Sequence, residues 1–170
     1  GGSTNLVLHL PAMARASGVM LDLQDFADLS EAVPLMAKVY PNGLADVNHF
    51  HAAGGMQFLI GQLLDAGLLH GDAKTVAGDG LAFYRQEPVL EGGRLGWRSG
   101  PAASLNDRIV RPAAEPFAAQ GGLKLLTGNL GRGVIKISAV APERHVIEAP
   151  ARVFHSQDAV KAAFKAGEFT

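Results

Sequence analysis

Two stretches of this chain carry residue types that can hold an anion. Gly1-Gly2-Ser3-Thr4-Asn5 stands where a helix is expected to begin. Free backbone amides and the positive end of a helix dipole suit such a position to a carboxylate or phosphate. Glycine there lets a ligand approach the backbone, and the Ser and Thr hydroxyls add donors. The same residues equally suit a plain N-cap with a tight entry turn. The second stretch, Gly128-Asn129-Leu130-Gly131-Arg132-Gly133, lies between two expected strands. A glycine-rich turn with one arginine can hold a phosphate through amides and a forked guanidinium. It can also be a hairpin turn with a solvated arginine. It is not a P-loop, because the Gly-Lys-Ser/Thr ending and the following helix are missing.

The other polar groups point to less. His9, His49, His51, His70, His145 and His155 are scattered. His49 and His51 are two apart, so on a helix they face different ways and cannot share a metal. Asp46 and His49 have the i, i+3 spacing of a ligand pair, but no third ligand can be nominated. Asp72, Asp79 and Glu87 flank Lys74 and Arg85, a density of mixed charge that usually marks a solvated face. There is no Gly-x-Ser-x-Gly elbow, and no cysteine in the chain. Disulfides, a thiol nucleophile, zinc–thiolate sites and cysteine-held iron–sulfur clusters are therefore excluded within these residues.

The elements that must position these groups can be read from the same pattern. The chain has 170 residues, 48% hydrophobic and 18% charged, which is enough to bury a real core. A net charge of −1 gives no reason to expect nucleic acid or an anionic membrane as partner, and no apolar run approaches the roughly 20 residues that span a bilayer. The absence of an initiator Met, with a motif at one edge and a helix stop at the other, reads as a segment of a larger protein. Leu6, Leu10, Met13 and Ala14 follow helical spacing, with Ser3 or Thr4 as N-cap, Pro11 as a kink or break and Gly18 as stop. Residues 19–23 suggest a short strand. Residues 25–37 suggest one helix or two, divided at Pro34, and Tyr40-Pro41-Asn42-Gly43 is a turn. Residues 44–53 and 55–66 read as a helix pair ended by Gly67.

From Glu87 to Pro116 glycines and prolines dominate, with Trp97 as an expected core anchor, and a domain boundary is placed there. Residues 123–126, 134–140 and 145–154 read as strands. Residues 157–164 read as a helix with Ala159, Val160, Ala163 and Phe164 on its apolar side. The expectation is α/β: residues 1–104 as the helix-rich end of an α/β domain, and 105–170 as the start of a β-barrel-like domain.

The quoted residues resemble a known family. Gly1 to Leu10 is similar to the Gly-Gly-Ser-Thr-Asn-x-x-Leu-His-Leu signature of the dihydroxy-acid and 6-phosphogluconate dehydratases. Ala52-Ala53-Gly54-Gly55, Ala66 to His70, Gly121-Gly122-Leu123, Gly128-Asn129-Leu130, Val134 to Ser138 and Glu148 to Phe154 agree in order and spacing. Tyr40 to Phe50 and Asn129 to Gly133 look like the 6-phosphogluconate branch; the dihydroxy-acid branch is similar to Gly-Asn-Leu-Ala-Pro-Glu-Gly at the second. The resemblance implies a cytoplasmic lyase, homodimeric when intact, acting on a sugar-acid phosphate. It implies an iron–sulfur cluster, of the 4Fe-4S type, as Lewis acid in the intact enzyme. The cluster cysteines and the catalytic loop have no matching positions here, so no catalytic or metal residue is carried over and this segment alone is expected to be inactive. Ser3, Thr4, Asn5 and Arg132 remain as candidate substrate-binding residues.

Overall fold

In the computed structural model, residues 2–169 are described; Gly1 and Thr170 lie outside them. The first helix, α1, covers Leu6–Ala16 and runs through Pro11 without interruption. Pro11 removes one amide from the ladder, but the last turn closes through Ser17 N donating to Met13 O and Ala14 O. Residues 19–22 form no strand. Instead Asp22 caps α2, Leu23–Ala32, by accepting from Gln24 N at 2.6 Å and Asp25 N at 3.3 Å, while the Asp25 carboxylate accepts from Asp22 N at 2.8 Å. This reciprocal box is a helix-start signal, and it outcompetes the weak alternation that suggested a strand. Helix α2 stops before Pro34, as the residue ahead of a proline is pushed towards extended backbone.

Residues 34–39 then run extended and are laced to a distant segment. Leu35 bridges Ala118 and Ala37 bridges Val110. Lys38 N donates to Ile109 O at 2.8 Å and Arg111 N to Met36 O at 2.8 Å. The helix pair follows as α3, Val47–Ala52, and α4, Gly55–Asp65. Asp46 starts α3, accepting from Asn48 N and His49 N at 2.9 Å each. We expect Asp46→Ala to lower the thermal midpoint through loss of this cap, a drop that Asp46→Asn largely avoids. The centre of packing is Ala53, Phe58 and Val110, all buried, ringed by half-buried Ala37, Phe50, Leu59 and Ile109.

The sheets are three separate two-stranded antiparallel pairs. The smallest joins β1, Lys74–Thr75, to β2, Gly78–Asp79. After a 3-10 turn at Ala82–Arg85, β3, Gln86–Glu91, pairs with β4, Arg94–Ser99. This hairpin falls where an irregular boundary was expected. Its turn is Gly92-Gly93 with φ of 55° and 77°, the left-handed pair that a two-residue hairpin turn requires. Trp97 does not anchor in the core: it is 47% exposed and packs on Phe83, with ring centroids 4.6 Å apart. Pro88, Leu90, Leu95 and Trp97 share one face by register, and Leu90 and Leu95 stand 76% and 68% exposed.

The last pair is β5, Leu123–Gly128, with β6, Gly131–Lys136. The expected strand at 134–140 ends early in a 3-10 turn at Ile137–Ala139. Residues 145–154 form no strand; extended residues without a partner have no ladder to join, and Pro150 lacks a donor. Helix α5 covers Gln157–Lys165, with Ser156 Oγ accepting from Ala159 N at 3.2 Å. Of its expected apolar side only Ala163 is buried, and Phe164 is 71% exposed. The architecture is thus mixed helix with small antiparallel sheets, and the described residues contain no closed barrel.

Candidate functional site

The helix start is built differently from a side-chain N-cap. Asn5 occupies the N-cap position already in helical conformation, φ −64° and ψ −26°, and its side chain makes no capping bond. Ser3 holds the turn before it, its Oγ accepting from Asn5 N at 3.2 Å and its carbonyl from Leu6 N at 3.0 Å. Ser3, Thr4 and Asn5 are all exposed, and no hydrogen bond from the Thr4 or Asn5 side chain is formed among the described residues. Gly2 seats this turn against the last hairpin: a β-carbon there would lie 3.3 Å from Leu6 Cδ1 and 3.4 Å from Leu123 Cδ1. Gly2, Phe26, Leu29, Leu63 and Leu123 line a largely apolar cavity of about 310 Å³ beneath it.

The second candidate stretch is the turn of hairpin β5–β6, with Asn129 and Leu130 between the paired Gly128 and Gly131. Arg132 lies opposite Thr127 beside that turn, exposed and without an ion-pair partner among the described residues. The hairpin base, Leu123 opposite Lys136, is the end that meets Gly2. Four residues of strand, about 13 Å, separate the two ends. The helix start and Arg132 are therefore not brought together side by side; they occupy opposite ends of one hairpin. Side chains of directly paired residues share a face, so Leu123, Leu125, Arg132, Val134 and Lys136 all belong to the inward face. Its inner rows are the more protected ones. Lys136 is half-buried, and burial holds its amine below the usual lysine range. Sequence reasoning passed over Lys136, although Val134, Lys136 and Ser138 alternate inward and only one of them is charged.

The remaining polar groups are engaged elsewhere. Asp46 Oδ1 sits 2.8 Å from His49 Nδ1, and the pair is spent on capping α3. The His49 amide donating to the Asp46 carboxylate, aided by the ring, holds its pKa below the ordinary aspartate value. Asp72, Lys74 and Asp79 are exposed, but Glu87 and Arg85 are not simply solvated. Glu87 accepts from Gln57 Nε2 at 2.8 Å and from Arg98 Nε at 2.5 Å. Arg85 donates to the carbonyl of Gly61 at 3.2 Å and pairs with Asp65. These contacts tie α4 to hairpin β3–β4 around a cavity of about 620 Å³ lined by Gln57, Gln62, Asp65, Arg85 and Ser99. Gly100 closes the joint, since a β-carbon there would fall 2.6 Å from Gln57 Cγ.

An iron–sulfur cluster does not fit these residues. The chain has no thiol, and no three His, Asp or Glu side chains gather into a ligand set among the described residues. No helix among them is long and apolar enough to cross a membrane.

With this geometry in view, the comparison with known proteins defines the class. The dihydroxy-acid/6-phosphogluconate dehydratase N-terminal model matches residues 1–84, and the C-terminal model of the same family matches residues 108–170. The chain belongs to the dihydroxy-acid/6-phosphogluconate dehydratase family. It is 62% identical over 168 residues to a phosphogluconate dehydratase of Pseudomonas aeruginosa, covering 99% of this chain. It is 56% identical over 167 residues to that of Escherichia coli K12, covering 98% of this chain. A dihydroxy-acid dehydratase of Caldanaerobacter subterraneus subsp. tengcongensis is 38% identical over 170 residues, 99% of this chain. In each case the chain spans 28% of the relative's length.

Proposed function

We propose that this chain is part of a hydro-lyase that dehydrates 6-phospho-D-gluconate to 2-dehydro-3-deoxy-6-phosphogluconate, a step of the Entner–Doudoroff route. The observation that carries this reading is the contrast between 62% identity to a phosphogluconate dehydratase and 38% to a dihydroxy-acid dehydratase, each across nearly the whole chain. In the intact enzyme, an iron–sulfur cluster of the 4Fe-4S type supplies Lewis-acid assistance to the departing hydroxyl. The chain has no cysteine and no ligand set gathers among the described residues; the contribution assigned to this segment is binding. Ser3, Thr4 and Asn5 offer hydroxyl and amide donors at the helix start, and Arg132 offers a fork suited to phosphate. We place the end of the α/β domain at 1–104 and the start of a β-barrel domain at 105–170. The enzyme is a cytoplasmic homodimer, and this segment alone has no dehydratase activity.

The test is an assay of the full-length enzyme on 6-phosphogluconate and on a branched 2,3-dihydroxy acid. Preference for the phosphorylated acid is expected; preference for the branched acid would overturn the reading. Within that enzyme, Arg132→Ala should raise KM for 6-phosphogluconate about tenfold or more, the worth of a lost charge-assisted bond. KM for unphosphorylated gluconate should barely change, and equal effects on both acids would remove Arg132 from the phosphate site.

A further inference from the structure

We propose that Lys136 is a second ligand-holding cation of hairpin β5–β6, binding the carboxylate of the acid whose phosphate lies at Arg132. This rests on the sugar-acid phosphate reading above and adds a residue and a binding polarity to it.

The register puts Arg132, Val134 and Lys136 in one row on the inward face, with a cation at each end and Val134 opposite Leu125 between them. The other side chains of that face are apolar apart from Thr127. Lys136 is also the lysine whose position is otherwise unexplained. Lys124 donates to Glu31 at 3.0 Å, Lys161 to Gln157 at 3.2 Å, and Lys38 lies 4.8 Å over the Phe117 ring. Lys74 and Lys165 are exposed. Lys136 is half-buried, and among the described residues no carboxylate lies within ion-pair reach of it. The neighbouring hydroxyl is already committed, with Ser138 Oγ 2.9 Å from Asn42 Oδ1. A cation shielded from water without a counter-charge costs free energy, and a bound anion recovers it.

Spacing and charge then assign the ends. About 13 Å of strand between the two residues, crossed by two long side chains, suits a ligand charged at both ends better than one compact anion. Arg132 is exposed and forked, which matches a dianionic phosphate that stays partly hydrated. Lys136 is a single point charge in a shielded position, and one carboxylate neutralises it without excess.

The experiment is trace acylation of lysines in the full-length enzyme, read by peptide mass spectrometry with Lys124 as internal reference. Saturating gluconate and saturating 6-phosphogluconate should each slow labelling of Lys136 about tenfold or more, while inorganic phosphate should not. Slowing by phosphate but not by gluconate would reverse the polarity and overturn the proposal, as would labelling that ignores all three. As a second measurement, Lys136→Met should raise KM for phosphorylated and unphosphorylated acids alike, by about tenfold to a hundredfold, with Lys136→Arg recovering part. An unchanged KM in a folded Lys136→Met enzyme would also overturn it; if that variant fails to fold, the labelling of the wild-type enzyme decides. An enzyme that protects Lys136 with gluconate yet does not dehydrate 6-phosphogluconate would refute the proposed reaction and leave this inference standing.

Discussion

Replacing Phe58 by alanine is expected to lower stability by about 3–5 kcal/mol. Phe58 is 3% exposed and lies at the centre of the best-packed part of the chain, against Ala53 and Val110. Removing the ring forfeits its burial and leaves a void that the neighbours cannot fill, because Val110 belongs to a segment pinned by backbone bonds to residues 34–39. Against a total of about 5–15 kcal/mol for a typical domain, this is enough to shift the urea midpoint far. Phe164→Ala is the matched control. Phe164 is 71% exposed, and its loss should cost within about 0.5 kcal/mol. Similar midpoints for the two variants would show that Phe58 is not central to the packing that stabilises the chain.

The second large effect is expected at Glu87. Glu87→Ala should cost about 1–3 kcal/mol, because the Gln57 amide loses its acceptor; Gln57 is only 8% exposed. The effect carries a pH signature. The Arg98 guanidinium bonded to the Glu87 carboxylate, with Gln57 adding a second bond, holds its pKa below the ordinary glutamate value of 4.5. A carboxylate whose folded pKa is depressed contributes stability that is complete above its unfolded pKa and is lost as pH falls through the folded one. The gap between wild type and Glu87→Ala should therefore be constant from neutral pH to about pH 5 and narrow below about pH 4. Thermal midpoints across that range measure it. A gap that widens in acid would contradict the assignment of Arg98 and Gln57 as partners of an ionised Glu87.

The helices were legible because their determinants are local. Apolar spacing in α1 and α4, Gly18 after α1 and Gly67 after α4 each act within a turn or two. Asp22 shows the limit of that reading: its role depends on Asp25 answering it, and an alternation count does not see reciprocity. Hairpin β3–β4 was hidden by its own turn. Gly92 and Gly93 read as punctuation in a glycine-rich stretch, yet a Gly-Gly pair between two short apolar runs is a hairpin signal. Residues 145–154 erred the other way, since β-prone composition cannot supply a neighbour to bond with. The two candidate stretches were legible as turns, but their arrangement was not. Only the pairing register shows that Lys136, rather than Arg132, belongs to the hairpin end at Gly2. Lys136 itself is unremarkable until its face is known.

The lacing of residues 34–39 to 109–118 has a consequence for biosynthesis. Leu35 meets Ala118, 83 residues downstream, and Ala37 meets Val110, 73 residues downstream. A ribosome releasing this chain exposes helices α1 to α4 well before the segment that covers Phe58 has been made. Closing so long a loop is entropically slow. Through that interval the nascent helices present uncovered apolar surface, the kind that chaperones engage and that aggregates when they do not. Translation pauses that fall once residues 109–118 have cleared the ribosome should therefore favour soluble product, whereas pauses that hold the chain before that point should favour loss.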